Sequence, residues 1–249
     1  MNKDRTGTFF REHGYVWARG VFSTSYMERI CAETDRLMES PYVRPWNLRC
    51  RWQKNDPPGG RLEALDPVID ISPPLGQIVA CTEITSYLEA IVGEKVHVLK
   101  DKLIYKMPGS QGYPLHQDFI DWEEFPEDTV QALVAIDGSD EATGSLEVFP
   151  GYHRQGRFPL GDELVFAMNS QWCEGKASRM LHLNQGDVLF FHAMLPHRSA
   201  PNRAVVPRRH LYLSYHRASE GDWRERYYQR HFAWSKAHLT RSGSPAFFH

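Results

Sequence analysis

Short β-type runs fill the chain from about residue 95 to residue 217, and turn residues separate them. Each run is rich in Val, Ile, Leu, Phe or Tyr, and Gly or Pro stands between many of them. A chain of many short strands forms a sandwich or barrel, because such folds protect the edges of their sheets. This segment therefore predicts a jelly-roll core. The runs cover residues 96–99, 103–105, 130–136, 146–149, 188–191 and 211–215.

The segments on either side of these runs have helical character. Helices are predicted over 4–12, from Ser23 or Thr24 as the N-cap to about Met38, and as a pair over 74–92 that ends at Gly93. Residues 40–72 carry prolines and no clear period, which predicts a long ordered loop. We therefore expect a mainly β protein with flanking helices, in one domain over 1–249. A helical N-terminal layer of about 1–94 would pack on a jelly-roll core of about 95–217, followed by a C-terminal helix of about 222–239.

The composition is that of a globular protein, with 41% hydrophobic and 24% charged residues among 249. The formal net charge of −2 gives no basic footprint of a general nucleic-acid binder. No apolar run indicates a secretion signal or a bilayer-crossing helix. The four cysteines form no CxxC pair, so we expect reduced thiols in a cytoplasmic protein. They are Cys31, Cys50, Cys81 and Cys173.

Two short stretches together supply a candidate metal site. His116 and Asp118 are two positions apart and would share one face of a strand. An apolar run fed by a Gly-Asp turn leads to a second histidine, His197. Two histidines and one carboxylate, with other positions left open, suit non-haem iron(II), whereas a closed four-ligand site would suit structural zinc. Taken alone, the His-x-Asp pair is equally compatible with a polar surface turn.

An arginine follows at a spacing that matters if the metal binds a dicarboxylate. Arg208 stands eleven positions after His197, at the head of the run over 211–215. A guanidinium group binds a carboxylate through two parallel hydrogen bonds and keeps its charge at any working pH. Arg208 is therefore a candidate to bind the far end of such a molecule, although a solvated surface arginine is the commoner situation. Arg209 would point to the opposite face of the strand.

Several motifs in order give the sequence a family resemblance over about residues 98–216. The chain is similar to the phytanoyl-CoA dioxygenase family of iron(II)/2-oxoglutarate oxygenases, which includes ectoine hydroxylase. Thr143 and Tyr152 depart from the family pattern at turn positions. The matching segments are Lys102-Leu103-Ile104-Tyr105-Lys106-Met107-Pro108-Gly109, His116-Gln117-Asp118, Ala142-Thr143-Gly144-Ser145-Leu146-Glu147-Val148-Phe149-Pro150-Gly151-Tyr152-His153, and His197 with Ser199 and Arg208.

The resemblance implies a double-stranded β-helix, a cupin-like jelly roll, with iron(II), 2-oxoglutarate and oxygen as cofactor and cosubstrates. It implies hydroxylation of an unactivated C–H bond with release of succinate and CO₂. Family members that halogenate lack the carboxylate that Asp118 supplies here. The residues it assigns are His116, Asp118 and His197 as iron ligands, Arg208 and Ser199 at the far carboxylate of 2-oxoglutarate, Lys102 at a position that contacts 2-oxoglutarate, and Trp122 at a family tryptophan.

The substrate is less constrained by the sequence. Arg49 and Arg51 could bind an anionic substrate group, and a solvated loop or a structural ion pair is the alternative. Asp121, Glu123 and Glu124 follow the metal motif and would favour a cation instead. We expect a small polar metabolite, with no nucleic acid and no membrane as partner, and the sequence specifies no oligomeric state. A metal-dependent cupin-type isomerase or small-molecule-binding protein is the alternative function, and an inactive scaffold would have lost a ligand.

Overall fold

The computed structural model describes residues 3–53, 56, 59–118, 122, 124–160 and 167–237. The α-helices are α1 (Lys3–His13), α2 (Thr24–Met38), α3 (Pro73–Val79), α4 (Thr82–Val92) and α5 (Arg224–Ala237). The strands are β1 (Tyr15–Ala18), β2 (Cys50–Trp52), β3 (Leu62–Leu65), β4 (Val96–Lys106), β5 (Tyr113–His116), β6 (Val130–Ala135), β7 (Leu146–Val148), β8 (Arg179–Leu181), β9 (Val188–His192), β10 (His197–Ser199) and β11 (Arg208–Arg217).

The strands form two antiparallel sheets that pack face to face. The large sheet has the order β1-β9-β6-β11-β4-β3-β2, and the small sheet has the order β5-β10-β7-β8. Leu133 and Tyr212 of the large sheet share a core cluster with Leu146 and Val148 of the small sheet. Side chains alternate along a strand, so this inner face of the large sheet looks into the space between the sheets. The predicted jelly roll is confirmed.

Helices cover the outer face of the large sheet. Met27, Ile30 and Leu37 of α2 pack in one cluster with residues such as Phe190 and Leu211 of the sheet. The Ser23 hydroxyl caps α2 by accepting a hydrogen bond from the backbone N–H of Tyr26, as the sequence predicts. The helices predicted at 4–12 and 74–92 are also confirmed. None of the helices in the described residues is long and apolar enough to cross a membrane.

The segment 40–72 differs from its prediction as a loop, because two short strands within it extend the large sheet. Arg51 of β2 lies opposite Ala64 of β3, and Ala64 lies opposite Ile104 of β4. Strands of three and four residues leave almost no periodic signal in the sequence. Their formation depends on hydrogen bonding to β4, which is about forty positions away along the chain.

A glycine-aspartate turn fixes the entry to β9, the strand that leads towards His197. Gly186 has a φ of 84°, and a Cβ at this position would lie 2.3 Å from the carbonyl oxygen of Phe22. The Asp187 carboxylate accepts hydrogen bonds from the indole N–H of Trp17 at 2.9 Å and from the backbone N–H of Gly20 at 2.7 Å. The turn therefore ties β9 to the N-terminal segment.

The C-terminal helix α5 packs beside one end of β4, which fits the predicted helix of about 222–239. Tyr227 and Tyr228 cluster with Leu99, Trp122 and Phe125. The Tyr228 hydroxyl accepts a hydrogen bond from the backbone N–H of Asp101 at 2.9 Å. Through these contacts α5 supports β4 from a distant part of the sequence.

Candidate metal and cosubstrate site

Three buried side chains converge where the small sheet begins. His116 ends β5, His197 begins β10, and the two residues are direct partners in the strand pair. Asp118 follows β5, and its backbone N–H donates to the carbonyl oxygen of Ala193 at 2.7 Å. Each side chain offers one ligand atom, and the three atoms lie within 4.8 Å of one another. The strand pairing explains why residues about eighty positions apart meet here.

Backbone carbonyl groups orient both imidazole rings. The Nδ1 atom of His116 lies 2.7 Å from the carbonyl oxygen of Pro114, and that of His197 lies 2.9 Å from the carbonyl oxygen of Leu195. Each Nδ1 must carry the proton to make this bond, which leaves the lone pair on Nε2. The Nε2 atoms lie 3.6 Å and 3.8 Å from the two carboxylate oxygens of Asp118. This orientation by outer partners is the usual arrangement of histidine metal ligands.

The charge states also suit a metal. Burial lowers the pKa of His116 to about 3 and lowers the pKa of His197, so both rings are neutral near pH 7. Their contacts with Asp118 are therefore not ion pairs. Burial opposes ionisation of Asp118, but Lys102 and the two histidines lower the pKa of its carboxyl group below the usual value. The site consequently offers two neutral nitrogen donors and one carboxylate.

This donor set fits the metal predicted from the sequence. Two imidazole nitrogens and one carboxylate oxygen occupy one side of a cation and leave other positions for small molecules, which is the ligand set of non-haem iron(II) oxygenases. Within the described ranges, His116, Asp118 and His197 are the group of His, Cys, Asp or Glu side chains placed to bind a metal ion. Their assignment as iron ligands remains a prediction that this geometry supports.

Next to the metal site, cations from the large sheet reach towards the small sheet. Arg208 of β11 lies opposite Lys106 of β4 in the strand register. The Lys106 ammonium group donates to the Ser199 hydroxyl at 2.8 Å, and also to the carbonyl oxygen of Ala200. Lys106 and Arg208 each donate to the carbonyl oxygen of Gly144 at 3.3 Å. Lys106 therefore lies between Ser199 and Arg208, and the assignment of these two residues to 2-oxoglutarate remains a prediction.

Gly144 makes this close approach possible. Its φ is 77°, and a Cβ at this position would lie 2.2 Å from the carbonyl oxygen of Ala200 and 2.9 Å from the Lys106 Nζ atom. Only a residue without a side chain fits here. The glycine of the Thr-Gly-Ser motif therefore shapes the space in which Lys106 and Arg208 meet.

Arg208 is buried, with 1% of its surface exposed, and burial lowers its pKa from the usual value. Among the described residues, none accepts a hydrogen bond from its Nε atom. A buried guanidinium group with an unused donor is poised for an acceptor from outside the chain. This is the property expected of a carboxylate-binding arginine.

Lys102 and Trp122 occupy different surroundings. The Lys102 ammonium group lies 5.3 Å from the centre of the Tyr212 ring, and Asp118 is close enough to influence its pKa. Trp122 packs in the aromatic cluster with Tyr227, at 5.5 Å between ring centres. Arg230 stacks over the Trp122 ring at 4.7 Å. The roles of Lys102 and Trp122 towards 2-oxoglutarate remain predictions.

The two arginines singled out in the sequence separate in the structure. Arg49 binds the carboxylate of Asp70 at 2.8 Å and 2.9 Å, and donates to the carbonyl oxygen of Pro67. This is the structural ion pair that the sequence left open as an alternative. Arg51 is only 8% exposed and lies on the inner face, in the row that includes Ala64. Asp121 and Glu123, the acids weighed against an anionic substrate, lie outside the described residues, whereas the Glu124 carboxylate pairs with Arg226 and Arg230 of α5.

Lys100, Lys106 and Tyr227 were missed by the sequence analysis. Lys100, Lys102 and Lys106 are spaced by even numbers of residues, and this parity was the signal available for the lysines. Burial raises the pKa of Tyr227 well above the usual value, and Asp118 and Arg51 are near enough to act on it as well. Tyr227 had no usable signal, because α5 is more than a hundred residues from the metal motif.

The comparisons with known proteins agree with this geometry. Methylphosphonate hydroxylase of Gimesia maris is 31% identical over 172 residues, which cover 69% of this chain and 65% of that protein. The chain thus spans slightly less than two thirds of this relative. The 2-aminoethylphosphonate dioxygenase of an uncultured bacterium is 24% identical over 228 residues, which cover 89% of this chain and 84% of that protein.

The fold is also found in solved structures. The crystal structure of EctD from S. alaskensis with 2-oxoglutarate and 5-hydroxyectoine superposes with a TM-score of 0.75 at 18% identity, over 87% of this chain and 76% of that chain. The sequence profile of the phytanoyl-CoA dioxygenase (PhyH) family matches residues 10–210. This match includes His116, Asp118, His197 and Arg208. The chain therefore belongs to the phytanoyl-CoA dioxygenase family.

Proposed function

We propose that this protein is an iron(II)- and 2-oxoglutarate-dependent dioxygenase that hydroxylates a C–H bond of a small polar molecule. The observation that carries the proposal is the pairing of two sites between the two sheets, in the space called the chamber below. A buried group of two neutral histidines and one carboxylate lies at the start of β10, and Ser199, Lys106 and Arg208 meet at its end. Membership of the family supports the same function.

Iron(II) would be bound by His116, Asp118 and His197. When bound, it supplies the oxidising chemistry that splits 2-oxoglutarate into succinate and CO₂ and breaks the substrate C–H bond. The protein's own part is to hold the three ligands in place. The carbonyl groups of Pro114 and Leu195 fix the imidazole rings, and the strand pairing fixes the distance between them.

The far carboxylate of 2-oxoglutarate would bind to Arg208 and Ser199. Arg208 offers the unused Nε donor, and Ser199 is held in position by the Lys106 ammonium group. The burial of these groups excludes water and strengthens their interaction with a carboxylate. Lys102 and Trp122 are proposed as further contacts of 2-oxoglutarate, on the basis of the family positions that they match.

A metal-dependent isomerase or small-molecule-binding protein would need the same metal ligands. It would have no need of a buried arginine with an unused donor beside Ser199. Nothing in the described residues favours that alternative over the oxygenase. Hydroxylation is the reaction that we propose, because Asp118 fills the ligand position that halogenating relatives leave open.

Further proposals concern the domain organisation, the cellular location and the partner molecules of the protein. We propose that residues 1–249 act as one domain, because β1, β2 and β3 belong to the same sheet as the core strands. The four cysteines have free thiols, which supports a cytoplasmic location. We propose that a small molecule is the partner, with no nucleic acid and no membrane. Two relatives are named for acting on phosphonates, so methylphosphonate and 2-aminoethylphosphonate are the first compounds to test.

The first experiment is calorimetric titration of 2-oxoglutarate into anaerobic protein, with iron(II) and without it. We expect binding that requires iron(II) and that is lost in the Arg208→Ala variant. Binding would then justify a screen of small metabolites by succinate release. If folded, iron-loaded wild-type protein binds no 2-oxoglutarate, the oxygenase proposal is wrong and the isomerase or sensor takes its place.

A further inference from the structure

Two lysines of β4 face the space between the sheets: Lys102, proposed above as a contact of 2-oxoglutarate, and Lys100, which has no role in the site described so far. Lys102 lies opposite Tyr212 of β11, and Lys100 lies opposite Ser214. Direct partners in antiparallel strands point to the same side of the sheet. Tyr212 belongs to the core cluster between the two sheets, so both lysines face inward. Each is 8% exposed.

The ammonium groups of these lysines differ from that of Lys106. Lys106 donates to Ser199, Gly144 and Ala200. Across the described ranges, neither Lys100 nor Lys102 makes a hydrogen bond or an ion pair. The ammonium group of Lys102 lies over the Tyr212 ring. Burying an ammonium group without an acceptor is unfavourable, so such groups usually have a partner.

Arg51 brings a third positive charge to the same wall. It shares a row across the sheet with Ala64 and Ile104, and both of these residues lie in the core between the sheets. Burial lowers the pKa of Lys102 to about 8; Asp118 opposes this shift, and the charges of Lys100 and Arg51 add to it. The three cations are therefore close enough to repel one another.

Carboxylates offset part of the charge of this wall: burial disfavours the charged form of Arg51, but Glu63 and Asp66 raise its pKa above the usual value. Asp118 and Asp66 likewise oppose the lowering of the Lys102 pKa by burial. The Glu63 carboxylate accepts a hydrogen bond from the Tyr113 hydroxyl at 2.6 Å. The Asp66 carboxylate lies 3.2 Å from the Tyr228 hydroxyl. Asp101 points to the outer face, where it binds Arg224. In the region that the structure describes, no carboxylate makes an ion pair with Lys100 or Lys102.

We propose that Lys100 binds a tetrahedral phosphorus oxyanion on the substrate, a phosphonate or a phosphate ester, with the charges of Lys102 and Arg51 close by. This proposal rests on the proposed function, since it assigns the substrate of the same chamber. A phosphonate or phosphate carries more charge than a carboxylate and offers three oxygens to the converging donors. Lys100 and Lys102 are separated by one residue on one face of a strand, so the charge of Lys102 also acts on a group bound at Lys100.

The oxyanion anchors the molecule and takes no part in bond breaking. Hydroxylation replaces one C–H bond of the substrate by C–OH with one oxygen atom from O₂. The other oxygen atom enters succinate as 2-oxoglutarate loses CO₂. Asp118 is close enough to Lys102 to raise the pKa of the lysine, so the proposed oxyanion site adjoins the metal site.

The test uses anaerobic protein loaded with iron(II) and 2-oxoglutarate. Methylphosphonate, methyl phosphate and acetate are titrated calorimetrically into the wild type, Lys100→Met, and the matched control Lys95→Met, whose side chain is exposed just before β4. We expect a phosphorus oxyanion to bind the wild type and the control equally, and at least tenfold more weakly to Lys100→Met. If methylphosphonate binds more tightly, the substrate group is a phosphonate. If methyl phosphate binds more tightly, it is a phosphate ester.

Two outcomes would overturn the proposal and leave the oxygenase function intact. One is wild-type protein that binds 2-oxoglutarate but none of the phosphorus compounds, or that binds acetate as tightly. The other is a Lys100→Met variant that loses 2-oxoglutarate affinity as much as oxyanion affinity, which would assign the lysine to the cosubstrate. Failure of the wild type to bind 2-oxoglutarate at all would instead overturn the proposed function itself.

Discussion

Charged side chains are paired differently on the two faces of the large sheet. On the outer face, Arg209 binds Asp137 at 2.8 Å and 2.9 Å, Thr34 at 2.8 Å and Asp35 at 2.6 Å. On the inner face, its neighbour Arg208 makes a bond of 3.3 Å to the carbonyl oxygen of Gly144, and its Nε donor has no acceptor among the described residues. Adjacent arginines of one strand therefore serve different purposes.

Strand β4 repeats this contrast. On the outer face, the Asp101 carboxylate accepts from the backbone N–H of Val68 at 2.6 Å and of Ile69 at 3.0 Å, and pairs with Arg224 at 2.5 Å. On the inner face, Lys100 and Lys102 have no such partners in the described part of the chain. The outer-face Asp101 is therefore paired within the fold, whereas Lys100 and Lys102 are the inner-face charges that we propose for ligands.

The largest effect should come from removing the inner-face carboxylate of the metal site. We expect Asp118→Ala to reduce iron(II) affinity and succinate formation by at least ~100-fold. Loss of a group that only orients a metal ligand can already cost this much, and Asp118 would be a ligand itself. Metal titration and a succinate assay measure this effect. The outer-face variant Asp137→Asn is the control and should retain its metal affinity. Equal metal affinity in Asp118→Ala and the wild type would show that the cluster is not the metal site.

The second comparison replaces each of the two neighbouring arginines by alanine, beginning with Arg209. Arg209→Ala should lower the free energy of unfolding by about 2–3 kcal/mol, below the ~3–5 kcal/mol of a fully buried pair because its partners are partly exposed. Its affinity for 2-oxoglutarate should stay within about threefold of the wild type. Chemical denaturation and calorimetry give the two quantities. A stable Arg209→Ala variant would remove the distinction between the two faces.

Arg208→Ala should show the opposite pattern. We expect its affinity for 2-oxoglutarate to fall at least about 30-fold, which corresponds to ~2 kcal/mol. Its free energy of unfolding should change little or increase, since the variant removes a buried charge that is incompletely paired. The same two measurements apply. Unchanged cosubstrate affinity together with lower stability would assign Arg208 a structural role.

A smaller effect is expected at Lys106, and it depends on pH. Burial lowers the Lys106 pKa to about 6, with Arg208 adding to the shift, so Lys106 holds its proton weakly in the ligand-free protein. A bound carboxylate favours the charged form, so binding of 2-oxoglutarate should take up a proton. Calorimetry in buffers of different ionisation enthalpy detects this proton. Lys106→Met should abolish the uptake and weaken binding about tenfold; identical uptake in the variant contradicts the prediction.

The smallest effect is expected at Arg49, which pairs with an Asp70 side chain that is 49% exposed. Arg49→Ala should lower the free energy of unfolding by less than about 1 kcal/mol. Binding of 2-oxoglutarate and of phosphorus oxyanions should be unchanged. A loss of oxyanion affinity would return Arg49 to the substrate site, from which its pairing with Asp70 excludes it here.

The sequence predicted those parts of the site that depend on local spacing. His116 and Asp118 are two positions apart, and Arg208 follows His197 by eleven positions, on the next strand along the chain. The contributions of Lys100 and Lys106 depend on which residues of β11 face them, and this register arises from packing between distant segments. The strands β2 and β3 were missed for the same reason. Arg51 gains its place on the inner face only through the pairing of these strands with β4.

The helix α5 contacts the wall of the chamber but lies outside the part of the chain that carries the metal ligands. It lies beyond residues 10–210, the part that matches the family profile, yet Tyr228 supports β4 behind the two lysines, and Tyr227 interacts with Asp118 and Arg51. A mutation in α5 can therefore reshape the wall of the chamber while every metal ligand stays in the shared framework. Substitutions in α5 are therefore expected to change substrate affinity more than affinity for the metal ion.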